Sequence, residues 1–159
     1  GNGQLYGITG DGGSDSSTFF SIDKSTGTIT LIVAMDGTNG DGEALAFNPT
    51  DGMMYRISGN GTDEMTSINL NTFAINTVPV TTTITDNGEG LGMVFDEDLG
   101  LFIGTDRDDQ LVTINPTTAE KELIGTDPAL YARGAVFFPS KSDVIFYDGF
   151  NNAPPPPVR

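Results

Sequence analysis

The 159-residue chain has no cysteine, histidine or tryptophan, and its 7 lysines and arginines stand against 22 acidic residues, a formal net charge of −15. Each shortage removes a class of chemistry. Without Cys there is no disulfide framework, thiolate nucleophile or thiolate zinc site; without His there is no Ser-His-Asp triad and no haem ligand of that kind. Carboxylate chemistry and metals that take oxygen ligands remain. So few basic residues argue against a nucleic-acid partner, because phosphate recognition needs clustered Lys and Arg. The same charge suits an acidic membrane surface no better. No apolar run approaches the roughly 18 residues of a membrane span, so no membrane insertion is expected. The opening Gly1-Asn2-Gly3 has no Met, charged n-region or apolar h-region and reads as a processed, excised or engineered start.

What is present points to many short strands. Hydrophobic residues make up 36% of the chain, with 10 Phe and 4 Tyr, enough for an ordinary core. The 21 glycines are nearly twice the usual share of about 7% and, lacking a three-residue period, imply tight turns. No helical periodicity is sustained; only residues 127–132 could make one helical turn.

An internal repeat organises these strands. Phe19-Phe20-Ser21-Ile22-Asp23-Lys24-Ser25-Thr26-Gly27 recurs as Met65-Thr66-Ser67-Ile68-Asn69-Leu70-Asn71-Thr72 and as Leu111-Val112-Thr113-Ile114-Asn115-Pro116-Thr117-Thr118, so that Ile22, Ile68 and Ile114 lie 46 apart. Ahead of each runs a Gly-led strand with an aromatic residue: Gly3 to Ile8, Gly52 to Ile57 and Gly100 to Ile103, with a fourth candidate at Asp143 to Tyr147. Before these come strands of small residues ending in Phe: Glu43 to Phe47, Glu89 to Phe95 and Arg133 to Phe138. The expected strands fall near 5–8, 18–23, 28–33, 44–47, 53–58, 64–70, 73–79, 91–95, 100–105, 110–115, 119–124, 134–138 and 143–148, each antiparallel to its sequence neighbours. In order within a unit they are strands a (small residues, then Phe), b (Gly, then aromatic), c (the Ile22 type) and d. Asp51-Gly52 is an a–b hairpin signal, and Ser25-Thr26-Gly27 is a c–d turn that Asn71-Thr72 and Thr117-Thr118 replace later. Ile22, Ile68 and Ile114 are expected to be equally buried.

Four antiparallel strands per 46 residues, small residues leading, is the pattern of a β-propeller-type repeat: innermost strands crowd around an axis while Phe and Tyr pack between neighbouring blades. The units resemble blades of the secreted β-propeller superfamily, YVTN-type and PQQ-like, through Leu5-Tyr6-Gly7-Ile8 and Ser21-Ile22-Asp23-Lys24-Ser25-Thr26-Gly27. The resemblance spans residues 3–148 and implies a fold, without chemistry. The chain lacks the Trp of a PQQ docking motif or a kelch blade and the Gly-His and Trp-Asp pairs of a WD40 blade.

The expected fold class is therefore all-β, with about 3.5 four-stranded blades in residues 1–150: units near 3–35, 43–80 and 89–125, and a partial one at 133–148. Closed propellers need about four blades or more, so the expectation is a fragment, or a unit that another chain completes by joining exposed strand edges. Residues 151–159, with four consecutive prolines, read as a polyproline tail or linker.

Candidate chemistry sits in the acidic loops between strands d and a and between b and c, which in such a fold share one face. Glu43 and Glu89, with Arg133 in the third equivalent slot, could converge on an axial opening, and Asp106, Asp108 and Asp109 occupy a b–c loop. They are ligand-binding candidates for a cation or polar ligand; solvated loop charges or an ion pair stapling blades is the plainer reading. Asp36, Asn39, Asp41 and Glu43, with glycines between, offer some of the oxygens calcium needs, but the spacing misses the EF-hand register. Adjacent Asp in Gly/Thr loops lack the apolar setting that raises a catalytic carboxyl pKa. The expected function is a non-catalytic extracellular, periplasmic or cell-surface binding or structural module. Its partners would be protein, other copies through blade edges, or polysaccharide. The alternative is part of a propeller enzyme, such as a polysaccharide lyase, glycosidase or dehydrogenase, with catalytic residues elsewhere.

Overall fold

The computed structural model of the chain describes residues 3–10, 15–35, 44–58, 63–84, 90–106 and 108–126, with the backbone alone at 90, 91 and 106. Their regular elements are all β-strands. β1 (Leu5–Ile8), β2 (Thr18–Ile22) and β3 (Ile29–Ala34) make the first sheet, and β4 (Ala44–Asn48), β5 (Met53–Ser58), β6 (Glu64–Asn69) and β7 (Ile75–Pro79) the second. The third runs β8 (Thr81–Thr82), β12 (Glu120–Thr126), β11 (Gln110–Ile114), β10 (Leu101–Asp106), β9 (Gly90–Asp96) from edge to edge. Apart from β8, where no strand was expected, these strands start and end within two residues of the expected positions. The expected strands at 134–138 and 143–148 and the candidate turn at 127–132 lie outside the described residues.

The c–d turns repeat one hydrogen-bonding device. Asp23, Asn69 and Asn115 each use Oδ1 to accept from the backbone N–H groups two and three residues on, at 2.8–3.1 Å. The backbone carbonyl of each accepts from the N–H four residues on, at 2.7–2.9 Å. That fifth residue is left-handed in all three: Gly27 (φ 73), Phe73 (φ 56) and Ala119 (φ 57). Only Gly27 holds this conformation at no steric cost; a side chain there costs roughly 1–2 kcal/mol, offset by the closed hydrogen bonds. This is why β7 begins at Ile75 and not at the expected Phe73: Phe73 belongs to the turn.

Alternation along the strands assigns each sheet two faces. Cross-strand partners define the rows Leu5–Ile22–Ile29, Phe47–Met54–Ile68–Ile75 and Phe95–Phe102–Ile114–Lys121. Met54 and Ile68 pack against Phe19 and Met35 of the first sheet. Phe102 and Ile114 pack against Tyr55, Ile57 and Met65 of the second. Aromatic rings line both interfaces, with Tyr6 stacked on Phe19 at 5.2 Å and Tyr55 tilted on Phe102 at 5.0 Å. Small Ala44 and Ala46 are buried on β4, and β4 lies against β9. The second sheet is thus sandwiched between the others.

Two expectations are corrected. The third sheet has five strands, because β8 pairs parallel with β12 through Thr81 with Glu120 and Thr82 with Lys121; the chain leaving β7 covers its neighbour's outer edge. Ile68 and Ile114 are buried but Ile22 is only half-buried, because its face of the first sheet has no described sheet upon it. Leu5, Ile29 and Leu31 on that face are 47%, 56% and 50% exposed.

Truncating Ile68 or Ile114 to Ala should cost about 2–5 kcal/mol, and the same change at Ile22 clearly less. Chemical denaturation of the three variants checks the order; equal losses would contradict the assignment of faces.

Candidate functional site

The residue immediately before β2, β6 and β11 is repeat-equivalent: Ser17, Asp63 and Asp109 lie 46 apart. These positions sit at the strand end where the acidic loops emerge. Ser17 (φ 51) and Asp109 (φ 57) are left-handed, a conformation that short polar side chains tolerate. In the first two units this position bonds to a buried cation of the next sheet. Arg56 on β5 donates through Nη2 to Ser17 Oγ at 3.4 Å, and Lys121 on β12 donates through Nζ to Asp63 Oδ2 at 2.8 Å.

Both cations replace something smaller or apolar. Arg56 occupies the slot of Gly7 and Gly104 in the other sheets, where a Cβ would come within 2.5 Å of the Phe20 ring or 3.3 Å of the Gly92 carbonyl. The cross-strand partner of Arg56 is Thr66, whereas Phe20 stands opposite Gly7; bulk is exchanged across the strand pair so that the guanidinium fits. Lys121 stands where the other rows carry Ile29 and Ile75. Its side chain and that of Asp63 are 2% and 5% exposed. In such a setting the attraction between the charges is strong, and so is the penalty for leaving either unpaired.

Asp106 ends β10, with its backbone opposite Gly90 across a register shift, and Asp108 and Asp109 follow in the β10–β11 turn, both half-buried. Asp106 thus belongs to the strand end, whereas Asp108 and Asp109 belong to the turn. Glu43, Glu89, Arg133 and the candidate calcium ligands Asp36, Asn39 and Asp41 lie outside the described residues. Among the described residues no three acidic side chains come together as a metal site. The sequence reading passed over Asp63, Arg56 and Lys121, although a cation breaking the apolar run of Met53 to Ile57 and a lysine in an apolar row were visible signals.

At the opposite end of the second sheet, Asp51 in the β4–β5 turn accepts from Tyr55 Oη at 2.8 Å, Asn48 Nδ2 at 2.9 Å and the Met53 N–H at 2.9 Å. Burial, reinforced by the Asp51 carboxylate, pushes the Tyr55 phenol up to about 12. In the exposed β2–β3 turn the Ser25 hydroxyl and the Ser25 and Thr26 N–H groups hold the Asp23 carboxyl below its ordinary range. Between this end of the second sheet and β1 lies a cleft of about 610 Å³, lined by Leu5, Tyr6, Phe47, Pro49, Met54 and Leu70 among others.

A family model described as a repeat of unknown function (DUF6923) matches residues 2–149. No curated protein matches the chain. Among the solved structures that match is a structural-genomics protein of unknown function from Bacteroides thetaiotaomicron VPI-5482, 18% identical with a TM-score of 0.55. The match covers 76% of this chain and 30% of that one. This likeness concerns the fold alone.

Lys121→Met should destabilise the fold by about 3–5 kcal/mol by leaving the Asp63 carboxylate buried without its cation, and adding Asp63→Leu should recover most of the loss. Denaturation of both variants checks this; an additive double variant would contradict a coupled pair. Tyr55 gives the alkaline counterpart. Its phenol is raised in the fold, so its contribution is complete below the ordinary value of 10.0 and is lost as pH rises toward about 12. Tyr55→Phe should remove the phenolate transition near 12 from a spectrophotometric titration and flatten the stability loss in that window.

Proposed function

We propose that this chain, which belongs to the family of repeats of unknown function DUF6923, is a non-catalytic binding or structural module whose sheets are β-propeller blades, working outside the cell or at its surface. The observation that carries the reading is the stack itself. Successive sheets present the same rows every 46 to 49 residues, with their small-residue strands β4 and β9 against one another at one edge. That is the arrangement expected of blades sharing an axis. The ordered polar groups support a scaffold: Asp23, Asp51 and Asp96 close turns, and Asp63 and Arg56 join sheets. The ligand surface is then the end where the acidic loops emerge. There Glu43, Glu89 and Arg133, with Asp106, Asp108 and Asp109, would take a protein or polysaccharide, and Asp36, Asn39, Asp41 and Glu43 a calcium ion. Residues 1–150 would form the repeat domain and 151–159 a linker. The net charge of −15 favours solubility in a secreted setting.

Calorimetry with calcium chloride and with a panel of soluble polysaccharides, on wild type, Asp41→Ala and Glu43→Gln/Glu89→Gln, tests the reading. The expectation is saturable binding, weakened at least tenfold by the variants, with melting unchanged and no product released. Product release from a polysaccharide would favour an enzyme. Binding that ignores both variants would sink the site.

A further inference from the structure

The segment that leaves β7 crosses from the second sheet to the third and is tied to both. The Val80 N–H donates to the Asp63 carbonyl at 2.8 Å, and the Thr81 N–H to the Ala119 carbonyl at 3.0 Å. Thr81 and Thr82 then stand opposite Glu120 and Lys121 in the parallel ladder of β8 with β12. One short stretch of main chain is thus bonded to the residue that carries the buried carboxylate and paired with the one that carries the buried ammonium.

Burial follows this strap. Ile29, Ile75 and Lys121 hold the same slot on strand d of their sheets, yet the two isoleucines are 56% and 37% exposed and the lysine 2%. Among the described residues β12 carries a strand on its outer edge, whereas β3 and β7 do not. The most polar of the three side chains is therefore the one that is sealed. The seal itself is slight. β8 has two residues, Thr81, Thr82 and Thr83 are exposed, and Val80 and Ile84 are only half-buried against the core between sheets two and three. A segment with so few buried apolar atoms and solvent-facing hydrogen bonds opens far more readily than the sheets beneath it.

We propose that residues 79–84 are a gate, a strap that opens and closes over the Asp63–Lys121 pair while the sheets stay folded. Closed, it keeps water from the two charges, whose attraction depends on a dry setting, and clasps sheet three to sheet two. Open, it frees the outer edge of β12 and brings the Lys121 ammonium within reach of solvent. The pair acts as the lock, because its attraction is recovered in full only when the strap is back in place. This device stands on backbone bonds and burial and is separate from the ligand proposed for the loops.

Acetylation by an N-hydroxysuccinimide ester, read by peptide mass spectrometry, reports the open state, with exposed Lys24 as internal standard. In the wild type Lys121 should react at least tenfold more slowly than Lys24, with a rate that rises in urea far less steeply than global unfolding does. Thr81→Pro removes the N–H bonded to Ala119 and should speed Lys121 at least tenfold, with Lys24 and the β-sheet circular dichroism unchanged. Since the chain has no cysteine, Thr81→Cys/Glu120→Cys places the only two thiols on ladder partners, about 4.8 Å apart between strands and within disulfide range. Oxidation of that variant should slow Lys121 at least tenfold against its reduced form. A Lys121 rate equal to that of Lys24 overturns the seal, and a urea dependence as steep as global unfolding overturns local opening. A rate indifferent to the disulfide, or to Thr81→Pro in a folded variant, overturns the strap as the route to the amine. Should Thr81→Pro fail to fold, the disulfide comparison decides alone.

Discussion

The fold depends on holding register in the c–d hairpins. A strand that slips by one residue turns its whole apolar set to the other face, and here both faces of the middle sheet are buried. The Asp or Asn that opens each turn prevents the slip by committing its side-chain oxygen to two N–H groups and its carbonyl to a third. Because Asp23, Asn69 and Asn115 recur every 46 residues, the rows that follow recur as well. The β4–β5 and β9–β10 turns use the same device: Asn48 Oδ1 accepts from the Thr50 N–H, and Asp96 Oδ1 from those of Asp98 and Leu99. Turn chemistry that looks local thereby decides which residues meet between sheets.

Apolar packing brings the sheets together without specifying their exact alignment, since dispersion and burial are only weakly directional. The buried cations supply direction. Lys121 reaches Asp63 across the interface of sheets two and three, and Arg56 reaches Ser17 across that of sheets one and two. A slide of either sheet would strand a charge in a dry interior. Their acceptors occupy the same place in the repeat, immediately before the third strand of the unit, at the end where the acidic loops emerge. The charges nearest the proposed ligand surface therefore include some that hold the scaffold, and acidity alone does not separate the two roles.

The repeat spacing made much of this legible. The turn residues, the Gly-led strands and the small residues of β4 and β9 led to the strand positions and the all-β class, since hairpin geometry is written in neighbouring residues. The face of each isoleucine also followed from alternation. Asp108 and Asp109 lie between β10 and β11, where the strand order requires a connection.

Tertiary structure decided what lies between units. That Lys121 pairs with a carboxylate 58 residues earlier, that Arg56 fits a slot given to glycine elsewhere, and that Thr81 and Thr82 join the next sheet in parallel all depend on how sheets stack. A pattern confined to one unit carries no record of that. Ile22 makes the distinction plain. Its sequence environment repeats those of Ile68 and Ile114, yet its burial differs, because periodicity determines which face a side chain takes and only the neighbouring sheet determines whether that face is covered.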